Sequence, residues 1–313
     1  MKLQQLRYLV EVARRGLNVS DAAEALYTSQ PGVSKQIRLL EEELGLTVFE
    51  RSGKRFTGVT EPGKNVLEIA RRILKEADNL RRVGEEYADE DSGTLEIATT
   101  HTQARYTLPP VVKRFVERYP KVRLRLHQGS PVQVAEWTVR GEADIGIATE
   151  SLDQYPLLVT LPCFQWSHMV VAPRGHPALD RQPVSIPVIA EFPLITYDQT
   201  FTGRTRIDRV FERAGVSPNI VLTAIDADVI KTYVELGLGL GIIAEMAFDP
   251  GRDTNLRAVA SGHIFESNTT RLAIRRDAYL RKFEYDFIEL VAPHLNRKMI
   301  EATRAGMGED PGL

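Results

Sequence analysis

What the chain has little of narrows its class before any motif is read. One cysteine in 313 residues leaves no intramolecular disulfide and fits a reducing compartment. No apolar run approaches the roughly 20 residues that a membrane-spanning helix needs. The opening stretch, MKLQQLRYLVEV, has no short apolar segment ending at a small-residue cleavage site. The expectation is therefore a cytoplasmic protein with no membrane partner. An excess of either charge is missing too, since 40 Lys and Arg face 42 Asp and Glu. Taken whole, that balance argues against nucleic acid as a partner, because DNA affinity rests on neutralising phosphates. A hydrophobic content of 43% is that of an ordinary globular protein, and the length allows two or three domains.

Enzyme signatures are also missing. There is no nucleophile elbow, HExxH or P-loop. The six histidines are scattered, with none at ligand spacing from another or from Cys163, so no metal site, no cofactor and no catalytic residue is expected. GLGLG at 237–241 lacks the spacing of a dinucleotide fingerprint and follows a helical pattern, which makes it a helix cap. Cys163, between Pro162 and Phe164, reads as a buried or crossover residue rather than a redox switch.

What is present divides the chain into three parts. In the first, residues 1–59, Leu6, Leu9, Val10 and Ala13 recur at helical spacing up to Gly16. Ser20 stands where a second helix would be capped, with Asp21 and Glu24 in its first turn. A third helix begins near Ser29, tolerates Pro31 in its first turn, buries Val33, Ile37, Leu40 and Leu44, and ends at Gly45. Residues 60–89 form one long helical pattern with Val66, Ala70, Ile73, Ala77, Leu80, Gly84 and Tyr87 spaced alternately by four and three, the seam of a self-associating helix. DEDSG then reads as a linker.

From residue 93 strand and helix alternate: TLEIATT, a helix over 104–119 broken near its start by Pro109 and Pro110, VRLRLHQG, a helix over 133–140, and ADIGIAT. A second such unit and a closing strand and helix follow. This rhythm predicts two α/β lobes with mostly parallel sheets, one formed by about 93–162 and 268–295, the other by about 163–267. The chain would cross between them near 161–164 and 265–270.

Two sets of residues carry chemistry. With Val33, Ile37 and Leu40 facing inward, Ser34, Lys35 and Arg38 share the opposite face of the third helix, suited to base edges and phosphates in a major groove. Thr28, Ser29 and Gln30 at its start, and Arg51, Lys54 and Arg55 in the turn beyond it, supply further phosphate contacts. Residues 1–59 hold nine basic and seven acidic side chains, and five of the nine fall on the third helix and the following turn, so a neutral total conceals a local basic face. The second set is TTHTQ at 99–103, at the carboxyl end of a strand and the start of a helix, where open α/β sheets bind ligands. Thr100, Thr102 and Gln103 offer neutral donors suited to a small oxyanion or carboxylate; His101 is read as a solvated or hydrogen-bonded loop histidine. Thr149 and Thr202 follow other strands in comparable places.

The segment NVSDAAEALYTSQPGVSKQIRLLEEELG, followed by VFERSGKRFTGVTEPGK, strongly resembles the winged helix-turn-helix of LysR-type transcriptional regulators, departing in Gly32 where most members have Ala. The resemblance spans the whole chain. It implies an N-terminal all-α winged helix-turn-helix, a long linker helix, and an effector domain of two Rossmann-like lobes similar to type II periplasmic binding proteins. IATTHTQARYTLP, TYDQTFTGR and TAIDADVIKTYVELGLGLG are similar to a branch of the family that controls sulfur assimilation and cysteine synthesis. By that resemblance Thr100, Thr102, Gln103, Thr149 and Thr202 line an effector cleft. The implied effector is N-acetylserine, O-acetylserine, sulfate or thiosulfate. The same resemblance implies promoter DNA and RNA polymerase as partners and a tetramer built from dimers. Two rival readings are a periplasmic solute-binding protein, opposed by the 90-residue head, and an α/β enzyme acting on a small acetylated amino acid, opposed by the lack of a catalytic pair.

Overall fold

The computed structural model describes residues 1–53, 55–181, 183–199, 201 and 203–306. The expectations placed on Lys54 and Thr202 lie outside the described residues. The chain forms two compact units, one from Met1 to Tyr87 and the other from Ala88 onwards.

The first unit opens with α1 (Leu3–Arg14), α2 (Val19–Ala25) and α3 (Gln30–Leu44). Leu9, Val12, Ala22, Ala23, Val33, Ile37 and Leu40 form its core. Asn18, not Ser20, caps α2: its side chain accepts from the backbone N–H groups of Ser20 and Asp21. Asn suits the extended backbone of a cap at least as well as Ser. Ser29 caps α3 by accepting from Gly32 N–H, and Gly45 ends that helix in the left-handed region at φ 68°. Leu44 is exposed, while Glu41 is buried at the base of the same helix. β1 (Phe49–Ser52) and β2 (Arg55–Val59) pair antiparallel. The Thr60 hydroxyl then accepts from Gly63 N–H and starts α4 (Glu61–Ala88). Leu67 and Ala70 of α4 are buried in the same core, whereas Leu80 and Tyr87 are 74% and 86% exposed.

In the second unit β3 (Ser92–Thr99) leads through a π-helical turn, Gln103–Thr107, into α5 (Leu108–Arg118). Pro109 and Pro110 have no N–H to donate back along the helix, so the turn ahead of them widens: Leu108 N–H reaches Gln103 C=O, five residues back. β4 (Lys121–Gln128), α6 (Pro131–Arg140), β5 (Ile145–Ala148) and β6 (Leu158–Trp166) follow. Next come β7 (His168–Pro173), α7 (Ile186–Ala190), β8 (Leu194–Tyr197), α8 (Arg204–Arg213), β9 (Ile220–Ala224), α9 (Ala227–Glu235), β10 (Leu240–Ala244) and β11 (Leu256–Ala260). β12 (Asn268–Arg275), α10 (Lys282–Val291) and α11 (Arg297–Arg304) complete the described chain.

Two five-stranded sheets result, ordered β4-β3-β5-β12-β6 and β11-β7-β10-β8-β9. Each is mixed rather than mostly parallel: β12 runs antiparallel to both β5 and β6, and β7 runs antiparallel to both β10 and β11. In the first sheet β12 imposes this, because it returns from the second lobe without a helical crossover. The expected crossover at 161–164 is instead the middle of β6, an edge strand whose Leu161 and Cys163 are buried. Pro162 sits where the pairing with β12 shifts register between Thr270 and Arg271, and an edge strand with a bulge tolerates its missing N–H. The chain leaves the first sheet at Ser167 and returns to it at Asn268.

Candidate nucleic-acid interface and ligand cleft

On the first unit, α3 turns Val33, Ile37 and Leu40 into the core and so presents Ser34, Lys35 and Arg38 on its other face. Lys35 and Arg38 are exposed, and Arg38 Nε lies 3.2 Å from Glu42 Oε1 on the next turn. Ser29 and Gln30 are exposed at the start of α3, and Thr28 is half-buried beside them. Arg55 is exposed on β2. Arg51 differs from these: its guanidinium pairs with the buried Glu41 carboxylate and stacks 4.9 Å from the centre of the Phe56 ring. Its first task is to hold the β1–β2 pair against α3. Sequence reasoning missed Tyr27, which is 98% exposed in the turn before α3 and adopts a left-handed φ of 49°. Only the backbone geometry marks it, since a bulky residue there is strained.

The second unit brings together most of the other predicted residues. Thr100, Thr102 and Gln103 are buried where β3 ends, and Thr149 follows β5, the strand beside it. Gln103 Nε2 donates to Thr270 Oγ1 at 3.1 Å, and the Trp166 indole N–H donates to the same oxygen at 3.1 Å. With two bonds accepted there, Thr270 keeps its own proton for Thr149 Oγ1, 3.4 Å away. The Thr149 proton is thus left to point elsewhere. Thr100 has no side-chain partner among the described residues, and Gln103 Oε1 is buried without one. These are unspent polar groups at the carboxyl edge of a sheet, where a ligand would satisfy them. Thr270 and Trp166 escaped sequence reasoning because they lie on β12 and β6, 167 and 63 residues from Gln103 by number but adjacent through the sheet.

The second lobe closes on this edge. Tyr197, fully buried, is hydrogen-bonded to Thr102 and accepts from Ala244 N–H; burial pushes its phenol above the ordinary range. Asp228, in the first turn of α9, accepts from Tyr106 Oη at 2.7 Å and Arg105 Nε at 3.2 Å, both from the first lobe. Burial would raise this carboxyl, but Tyr106, Lys231 and Arg105 outweigh it and hold it below its ordinary value. His101 bonds Gln128 through Nδ1 at 3.2 Å. Ligand atoms of His101, Asp226 and Asp228 also lie within 4.8 Å of one another, a grouping invisible in sequence spacing. Arg105 and Lys231 already neutralise Asp228 there. Cys163 points into the core, and burial lifts its thiol to about 12, far from reactive thiolate chemistry.

Comparison with known proteins decides the family. The family model described as "LysR substrate binding domain" matches residues 88–296, and "Bacterial regulatory helix-turn-helix protein, lysR family" matches residues 3–64. The chain belongs to the LysR family of transcriptional regulators. The regulator is 56% identical to the HTH-type transcriptional regulator SsuR of Burkholderia cenocepacia over 98% of both chains. It is 54% identical to CysB of the same organism over 99% of both. Its effector domain is similar to the crystal structure of the cofactor-binding domain of the Cbl transcriptional regulator, with 46% identity and a TM-score of 0.66 over 70% of this chain and 95% of that one. These relatives are named as regulators, not enzymes. No helix among the described residues is long and apolar enough to cross a membrane.

Proposed function

We propose that this regulator controls genes of sulfur assimilation and cysteine biosynthesis, reading promoter DNA with its first unit and a small anion with its second. The DNA face comprises Thr28, Ser29, Gln30, Ser34, Lys35, Arg38 and Arg55, with Lys54 added from the sequence; Arg51 supports it from behind through Glu41. The effector face comprises Thr100, Thr102, Gln103 and Thr149, with Thr202 added from the sequence. The observation that carries the reading is the Thr270 hydroxyl, which gathers Gln103, Trp166 and Thr149 and so leaves the Thr149 proton, with the Thr100 hydroxyl, for a ligand. Neutral donors hold a small oxyanion or carboxylate reversibly, where an arginine pair would hold it more tightly. N-acetylserine, O-acetylserine, sulfate and thiosulfate all fit that description.

A ligand bridging the lobes favours one of their relative orientations, a hinge-type switch, and alters DNA binding only so far as it binds the two states differently. Two chains paired through α4 would set two copies of α3 on successive half-sites, a dimer of dimers would bend the promoter, and RNA polymerase would read the result. Titrating the purified regulator with the four anions by calorimetry, alongside mobility shifts of sulfur-gene promoter fragments, tests both halves. Binding of at least one anion with an altered shift supports the reading. A shift that no anion changes, with no heat of binding, rejects the effector class. Promoter binding unaffected by Arg38→Ala, where about 1–3 kcal/mol of loss is expected, rejects the DNA face.

A further inference from the structure

One half-buried acid stands where the two lobes meet. Glu150 directly follows Thr149, and its Oε1 accepts from Gly203 N–H at 2.5 Å. Gly203 directly follows Thr202 and is the N-cap of α8, a ten-residue helix, so its amide stands at the positive end of that helix. The position is tightly fixed: φ is +70°, and an added Cβ would lie 2.7 Å from Asn268 Oδ1 and 2.9 Å from His168 Cε1. Thus a carboxylate that follows Thr149 in the first lobe holds the α8 amide of the second.

We propose that Glu150 is a built-in anion in the effector cleft, so that binding of an anionic effector is coupled to uptake of a proton at its carboxyl. This rests on the anion reading given above. Two negative charges side by side in a half-buried site disfavour one another, and the carboxylate is the one that can be neutralised. Burial has already lifted Glu150 to about 7, against the opposing pull of Gly203 N–H and Arg206. A neighbouring anion raises it further. The other charged or titratable groups around the cleft are engaged elsewhere. Arg206 donates to Ser267 C=O, Arg204 pairs with Asp208, and His168 contacts Asn268. His101 bonds Gln128, and Asp228 holds Arg105, Tyr106 and Lys231. Glu150 therefore sets both the affinity of the cleft and its response to pH.

Sulfate and thiosulfate are suitable probes because both stay dianionic from pH 6 to pH 8, so any pH dependence belongs to the protein. Calorimetry on the full chain is expected to show binding about tenfold weaker at pH 8 than at pH 6, the change imposed by one proton whose group sits at about 7 in the free chain and higher when the anion is bound. At pH 7.5, titrations in two buffers of different ionisation heat are expected to show net proton uptake. Glu150→Gln keeps an acceptor for Gly203 N–H and removes the charge. It should bind at pH 8 as the natural chain does at pH 6, with no slope between them. Binding with a flat pH profile and no proton uptake in the natural chain overturns this inference alone, as does a slope that persists in a folded Glu150→Gln. Absence of binding at either pH removes the anion reading and this inference with it. Should Glu150→Gln fail to fold, the two-buffer titration of the natural chain decides.

Discussion

Glu41 and Arg51 form an ion pair at the base of the DNA-binding head, and the same carboxylate binds the strand that Arg51 belongs to. Glu41 Oε1 accepts from the backbone N–H groups of Val48 at 2.8 Å and Phe49 at 3.2 Å, while Oε2 meets the guanidinium. One buried side chain on α3 thus fixes where β1 starts and how the two-stranded sheet lies beside the recognition helix.

Removing that side chain leaves two buried N–H groups without an acceptor and Arg51 with only its stacking on Phe56. Glu41→Ala is expected to destabilise the head by about 1–3 kcal/mol, measured by urea unfolding. Glu41→Gln, which keeps an acceptor, should lose less. Equal stability of Glu41→Ala and the natural chain would show that Arg51 and the strand are held by other means.

Much of the head was legible from local patterning, and the misreadings share a cause. The stripe of Val33, Ile37 and Leu40 and the caps Ser29 and Gly45 follow from helical periodicity and backbone chemistry within a few residues. Leu44 was read as core, whereas Glu41 was counted only among the acidic side chains of the head. The structure exposes Leu44 and buries Glu41, because the burial of Glu41 is decided by Val48, Phe49 and Arg51, which no window on α3 contains. Similarly, the place of TTHTQ at the end of a strand was legible from local pattern alone. Thr270, Trp166 and Glu150 could not be found that way, since only the order of strands in the sheet and the return of the chain between lobes bring them there.

The far half of α4 carries an apolar seam that its own unit does not cover. Leu80 and Tyr87, seven residues apart, are largely exposed, whereas Leu67 and Ala70 nearer the head are buried. Leu80→Glu is therefore expected to shift the regulator to smaller species in sedimentation velocity, with its fold unchanged by circular dichroism. An unaltered sedimentation profile would place self-association on another surface.

Asp228 ties the two lobes through Arg105 and Tyr106, and its depressed carboxyl value fixes the pH dependence of that tie. Its contribution is complete above 3.8, the ordinary value of an aspartate, and fades as pH falls through the lower folded value. The side chain is 41% exposed, so the effect is small. Asp228→Asn should melt roughly 1–3 °C below the natural chain at pH 7, and the gap should narrow in acid. A gap that is constant with pH would mean that the carboxylate charge plays no part.

Thr270 is the residue on which the cleft converges, and its methyl-for-hydroxyl replacement is the sharpest test of that arrangement. Thr270→Val keeps the shape of β12 but strands the Trp166 indole N–H and Gln103 Nε2, both buried, without an acceptor. Stability should fall by about 1–3 kcal/mol in urea unfolding. Sulfate or thiosulfate binding should weaken by tenfold or more, because Gln103 and Thr149 both lose the hydroxyl that orients them. Trp166 fluorescence should shift with the loss of its hydrogen bond. Thr270→Ser, which restores the oxygen, should recover most of both. If the valine variant binds the anions as tightly as the natural chain, the Thr270 network is a packing feature of the sheet and the ligand is held by Thr100 and Thr102 alone.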